Sequence, residues 1–105
     1  MGPGLLESIY QYCMAAELRS RGIRVDQMVP VTLHYKTSSL NKMFLIDMLI
    51  VKQIIVELKA VDEFAIVHEA QLLSYLKLAD KRLGFLINFN VPLLKEGLKR
   101  IVNNF

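Results

Sequence analysis

Three ionisable side chains interrupt the most apolar part of this 105-residue chain: Asp47 within residues 43–51, and Glu57 and Lys59 at the end of residues 53–59. Charges inside apolar strands are expensive to bury unless they are paired, neutralised or bound to a metal. Two hard carboxylates can hold a divalent cation. Hydrolysis of a phosphodiester needs what such a cation offers, namely charge neutralisation on the non-bridging oxygens and a water delivered in line with the leaving oxygen. A lysine beside them adds a point charge able to orient that water or to neutralise the phosphate. The chemistry open to this set is therefore magnesium-dependent phosphodiester hydrolysis.

The two apolar runs read as buried strands joined by a tight turn near Lys52. Side chains alternate across a strand, so Glu57 and Lys59 share a face. Whether Asp47 joins them depends on the turn. A two-residue loop at Val51-Lys52 sets Asp47 opposite Val56, whereas a three-residue loop or a bulge sets it opposite Glu57. The chemistry predicts a bulge or the longer turn.

The remaining chain supplies the elements that must position these residues. Gly2-Pro3-Gly4 opens a helix over about 5–20, with Leu6, Ile9, Cys13, Met14 and Leu18 near helical spacing and Gly22 as its terminator. A strand follows over about 24–35, and Pro30 makes it an edge or bent strand. Residues 37–41 form a polar turn into the Asp47 strand. Beyond Lys59, residues 67–79 have a helical pattern closed by Asp80-Lys81-Arg82, residues 83–89 form a further buried strand, and residues 92–102 a short terminal helix. The expected order is helix, three strands, helix, strand, helix, in a single domain spanning 1–105.

Composition narrows the function classes. Hydrophobic residues make up 53% of the chain, ample for one core. The formal net charge of +3 suits contact with a phosphate backbone, although Lys and Arg are scattered rather than clustered. The mean hydropathy is positive, high for a small soluble monomer, so apolar surface is expected to be covered by a partner, most simply a second copy. Cys13 is the single cysteine, which favours a reducing cytoplasm and, within a helix, a packing role. His34 and His68 lack the Cys/His spacing of a closed zinc site. No signal peptide and no apolar stretch of membrane length is present.

The order of elements, together with Asp47 and Glu57-x-Lys59, resembles the core of the PD-(D/E)XK nuclease superfamily, a restriction-endonuclease-like α/β fold with a mixed sheet flanked by helices. More narrowly, Gly4-Leu5-Leu6-Glu7-Ser8-Ile9-Tyr10 resembles the signature of the GxxExxY proteins of that superfamily. The likeness continues through residues 56–61, 68–76 and 86–90 and covers nearly the whole chain.

This resemblance implies a deoxyribonuclease that uses magnesium or manganese. Asp47 and Glu57 would be metal ligands, the Leu58 carbonyl an extra oxygen ligand, and Lys59 the base or water positioner. Glu7 resembles the acidic residue that many members place on their first helix to complete the site. Gln71 and Tyr75 resemble the Gln-x-x-x-Tyr element beside the active site in the helicase-associated and exonuclease branches. Helix geometry independently puts Gln71 and Tyr75 on one face, with His68 three residues earlier. Relatives usually carry a longer N-terminal lead-in, so packing of the first helix is expected to be either incomplete or supplied by a dimer partner.

Plainer readings stand beside these. Glu7 also fits a first-turn carboxylate favoured by the helix dipole. Tyr10 fits a core residue or one whose hydroxyl is hydrogen-bonded to a neighbour, and Lys95, Lys99 and Arg100 fit a solvated face. Phe44-Leu45 stands where relatives tend to have Tyr-Arg, which keeps open a second function class: a nuclease-fold module that no longer cuts and serves nucleic-acid binding or protein interaction. The first reading predicts a homodimer that contacts DNA mainly through its phosphate backbone.

Overall fold

The computed structural model describes residues 4–34, 41–90 and 97–104. Its elements are α1 (Gly4–Ser20), β1 (Val25–His34), β2 (Asn41–Ile50), β3 (Ile54–Lys59), α2 (Ile66–Ala79), β4 (Leu83–Asn88) and β5 (Leu98–Val102). The strands form one sheet in the order β1-β2-β3-β4-β5. The β3–β4 pair is parallel and the other three are antiparallel. A parallel pair needs a crossover, and α2 supplies it. The mixed sheet flanked by helices agrees with the expected α/β class.

Each helix covers one face of the sheet. Ile55 packs with Leu72, Tyr75 and Leu76 of α2, while its neighbour Val56 packs with Ala15 of α1, as strand alternation requires. The outer hairpin departs from that alternation. In β1, Val25 belongs to the α1 side but Val29 and Val31 to the α2 side; in β2, Met48 and Ile50 belong to the α1 side but Phe44 and Ile46 to the α2 side. Both strands therefore turn over at the same level. Met28 sits there with a left-handed φ of 52°, and the register is unbroken on either side of it, from Gln27↔Met48 to Val29↔Ile46. Asp47 lies at this level on β2.

Local signals account for the element ends. Gly22, at φ 78°, lets the chain leave α1, with its N–H donating to the Arg19 carbonyl and the Ile23 N–H to the Leu18 carbonyl. Asp80 takes the left-handed position after α2, and the Lys81 N–H closes back on Leu76. Pro30 falls on β1, an edge strand, where proline is tolerated. Between β2 and β3 the chain turns through Val51, Lys52 and Gln53, the first two at φ 47° and 59°. This is the three-residue turn the chemistry required.

Three expectations are corrected. The terminal element is a strand at Leu98–Val102, not a helix; it pairs with β4 from Leu83↔Val102 to Ile87↔Leu98. The Leu98 to Ile101 spacing imitates a helix, but the open edge of β4 gives this backbone a ladder and Ile101 a place on the α2-side core. The part of the expected helix at 92–96, with Lys95, lies outside the described residues, as do the expected turn at 37–40 and the Gly2-Pro3 opening. The buried stripe of α1 is also displaced. Leu6 and Ile9 are about half exposed, whereas Gln11 and Ala15 are buried and Met14 and Leu18 partly so. The reason is polar: Gln27 donates through Nε2 to Gln11 Oε1 at 2.9 Å, and the Gln11 amide reaches the Met28 sulfur. Cys13 consequently faces outward and does not pack in the core.

Candidate active site

The site forms where β2 and β3 part. Their backbone ladder covers Met48↔Val56, Leu49↔Ile55 and Ile50↔Ile54, and the next opposed residues are Asp47 and Glu57. There the side chains replace the ladder. The Asp47 N–H donates to Glu57 Oε1 at 3.2 Å, and the Leu58 N–H donates to Asp47 Oδ2 at 2.9 Å. Each carboxylate is thus fixed by the backbone of the other strand. The N–H and C=O of one residue point to the same edge of an extended strand, so the Leu58 carbonyl shares the edge that its N–H presents to Asp47.

Glu57 is 4% exposed. Burial, then the charge of Asp47 and a hydrogen bond between the two carboxyls, push its pKa from 4.5 up to about 9, with Lys59 opposing. Near neutral pH the pair therefore holds a proton. Two hard oxygen donors that cannot both ionise alone are a fitting donor set for a divalent cation, whose charge takes the place of that proton. Among the described residues no three His, Cys, Asp or Glu side chains converge as a metal cage. The set is an open one, of the kind in which water and substrate oxygens fill the remaining positions.

Lys59 is two residues beyond Glu57 on the same strand. Its Nζ donates to Gln71 Oε1 on α2 at 3.3 Å. Tyr75 lies one helical turn further on and is 7% exposed; burial first, then the charges of Glu57 and Asp47, raise its hydroxyl pKa, while the Gln71 amide acts in the opposite sense. Glu7 approaches from α1. Its pKa is raised by partial burial, lowered by Lys59 and raised again by Asp47, which places it within electrostatic reach of both. The sheet and both helices contribute to one locus.

The family model of the PD-(D/E)XK nuclease superfamily matches residues 1–101. This chain belongs to that superfamily. The five-stranded mixed sheet with its two helices is consistent with a restriction-endonuclease-like fold. The crystal structure of SSO0001 is similar to it, with a TM-score of 0.74 and 18% identity over 97% of this chain and 52% of that one. This likeness concerns the fold, and the present chain spans about half the length of that protein. No curated protein matches the chain in sequence.

In this superfamily member hydrogen bonds join Asp47, Glu57 and Leu58 to one another and Lys59 to Gln71, with Tyr75 one turn along α2, whereas Glu7 is linked to them only through the charges of Lys59 and Asp47 and forms no three-acid group with Asp47 and Glu57. His68 does not join them: its Nδ1 accepts the Ala65 N–H at 2.9 Å and caps the start of α2. Lys99 is bound to Glu69 of α2 at 2.9 Å. Sequence reasoning missed Asn88. It is 3% exposed, stands in register with Lys59, and its amide both donates to and accepts from the backbone of Val61. The Phe89 N–H also donates to the Lys59 carbonyl. Asn88 therefore fixes the chain as it leaves β3. Its signal in the sequence was an amide closing the apolar run of β4. Tyr10 was read as core; it is 46% exposed and stacks on Phe89, with centroids 4.1 Å apart.

Proposed function

We propose that this domain, of the GxxExxY type, hydrolyses DNA phosphodiester bonds with magnesium or manganese. The observation that carries the reading is the reciprocal Asp47–Glu57 arrangement, which presents two carboxylates at a fork in the sheet and holds them protonated between them when no cation is present. Asp47, Glu57 and the Leu58 carbonyl would hold the cation, with Glu7 completing the set from α1. When bound, it supplies Lewis acidity toward the phosphate and lowers the pKa of a water.

The protein's own residues do the rest. Lys59, held by Gln71, orients the attacking water and offsets charge building on the phosphoryl oxygens. Tyr75 backs Gln71 and stays protonated, since its pKa is raised. Asn88 keeps Lys59 from drifting by tying down Val61. A domain of this size reads mainly the backbone of DNA.

Other elements of the proposal are a cytoplasmic location, with no helix among the described residues long and apolar enough to cross a membrane, and a homodimer. Leu5, Leu6, Ile9 and Tyr12 of α1 expose apolar surface suited to a second copy. The test is cleavage of linear, circular, single-stranded and branched DNA with magnesium or manganese, beside Glu57→Ala and Lys59→Ala. Metal-dependent cutting lost in both variants is expected. Binding without cutting by a folded protein, unchanged by Lys59→Ala, would replace this reading with a non-catalytic DNA-binding module.

A further inference from the structure

A groove of about 470 Å³ runs outward from Gln71 and Tyr75 between α2 and the outer half of the β1–β2 hairpin. One wall is the helix face Gln71, Ser74, Tyr75 and Leu78, whose spacing is that of a single helical stripe. The other is Leu33 and Phe44 of the hairpin, which reach this side because the strands turn over at Met28. Its volume falls in the range of sites that take a nucleotide-sized ligand, roughly 300–1,000 Å³, and its lining has the usual character of such sites, apolar with a few polar groups at one end. Here the polar end, Gln71 and Ser74, adjoins Lys59.

We propose that this groove receives an unpaired nucleobase of the DNA strand whose phosphate lies at Lys59. The inference rests on the nuclease reading and names its substrate: single-stranded DNA, or duplex DNA with an unpaired nucleotide beside the cut. Three observations support it. The groove is continuous with the site, because Gln71 and Tyr75 belong to both. Phe44 offers an aromatic face tilted 50° to Tyr75 at 5.8 Å, the kind of platform on which any base stacks. The rim is cationic: Lys77 lines the groove, the Lys42 ammonium lies 5.5 Å from the Phe44 ring, and neither forms an ion pair among the described residues. Both are thus available to phosphates on either side of the bound base.

A paired base reaches these walls only by leaving its stack and its partner, at a cost of about a few kcal/mol that an unpaired base does not incur. The groove therefore selects for strands that are already open. Ser74 and Gln71 can hydrogen-bond a base edge, but one hydroxyl and one amide already bonded to Ala70 and Lys59 leave little capacity for telling bases apart. Preference for the unpaired state without strong sequence preference follows.

Fluorescence anisotropy of the full chain, with calcium in place of magnesium, tests this with three labelled probes: a thymidine oligomer, the same oligomer made abasic, and a fully paired hairpin closed by a non-nucleotide linker. Stacking on such a platform is worth about 1–3 kcal/mol per base, so the thymidine oligomer should bind about 5- to 150-fold more tightly than the abasic one. Leu78→Glu or Leu33→Glu, on opposite walls, should erase that ratio while abasic and hairpin binding persists; two variants are made so that one that misfolds does not decide the result. Equal binding of thymidine and abasic oligomers by the unmodified protein would overturn the groove assignment and leave the nuclease reading standing. Failure of all three probes to bind would overturn the nuclease reading itself.

Discussion

The two faces of the sheet are held by different means. On the α2 face, Leu72 and Leu76 are fully buried against Ile46, Ile55 and Leu86, a dry apolar contact. On the α1 face the buried helix residues are a glutamine and an alanine. Gln11 meets Gln27, and Gln27 in turn accepts from Arg19, whose other nitrogen donates to the Val25 carbonyl. One face is a dry apolar core; on the other an apolar cluster of Ala15 with Val25, Met48, Val56 and Leu58 is flanked by this polar dock, beneath an apolar outer surface. The paired carboxylates sit beside that boundary, Asp47 at the level where β2 passes from one face to the other and Glu57 on β3, which keeps its regular alternation. The arrangement separates duties: α2 provides stability and grips Lys59, while α1 brings Glu7 on a weaker mount.

The largest effect expected concerns the Asp47–Glu57 seam. Glu57 has a pKa of about 9 in the folded, metal-free protein against 4.5 when unfolded. The folded state therefore holds a proton that the unfolded state has lost, and the Glu57 contribution to stability is fully present below about pH 4.5 and is lost as pH rises toward 9. Across that window the loss is on the order of 5 kcal/mol. Urea titrations over this range should show the decline, with Glu57→Gln flattening it and magnesium doing the same for the unmodified chain. A flat profile for the unmodified, metal-free protein would remove the electrostatic reason for a cation at the seam.

Next, Leu76→Ala on the dry face should cost about 2–5 kcal/mol, read as a lowered urea midpoint at constant slope. Gln11→Ala on the polar dock should cost less, about 1 kcal/mol, since Gln27 keeps Arg19 as a partner. Equal losses would dissolve the distinction between the faces. The smallest effect is expected from Glu7→Gln, a few-fold fall in metal-dependent cleavage with stability within about 0.5 kcal/mol of the parent. Full loss of cleavage would promote α1 from a weak mount to an essential wall of the site.

The site was the more legible part of this sequence, because strand alternation is a rigid rule. Once Asp47 and Glu57 had to meet, only certain turns at Val51-Lys52 allowed it, and the chain has one of them. The α1 face was misread because Leu6 and Ile9 are as apolar as any core residue; nothing local says that Glu7 and Gln11 point inward until Gln27 and Met28 are known to lie beneath. The last element was misread for a similar reason. Leu98 and Ile101 fit a helical spacing, and only the unfilled edge of β4, a feature of the assembled sheet, makes them a strand. The reversal at Met28 left no trace in the hydrophobic pattern, since both faces of the hairpin carry apolar residues.

Lys52 is the midpoint of the β2–β3 turn, and Asp47 and Glu57 lie the same number of positions to either side of it. While this turn is kept, the arm can grow or shrink only by a matched pair of residues, one from each strand. A single inserted or deleted residue on either side would set Asp47 against a neighbour of Glu57 and send one carboxylate into the opposite core. The ten-residue separation therefore behaves like a parity check written into the chain. Substitutions along the arm would grade the proposed activity, whereas length changes of one residue would switch it off.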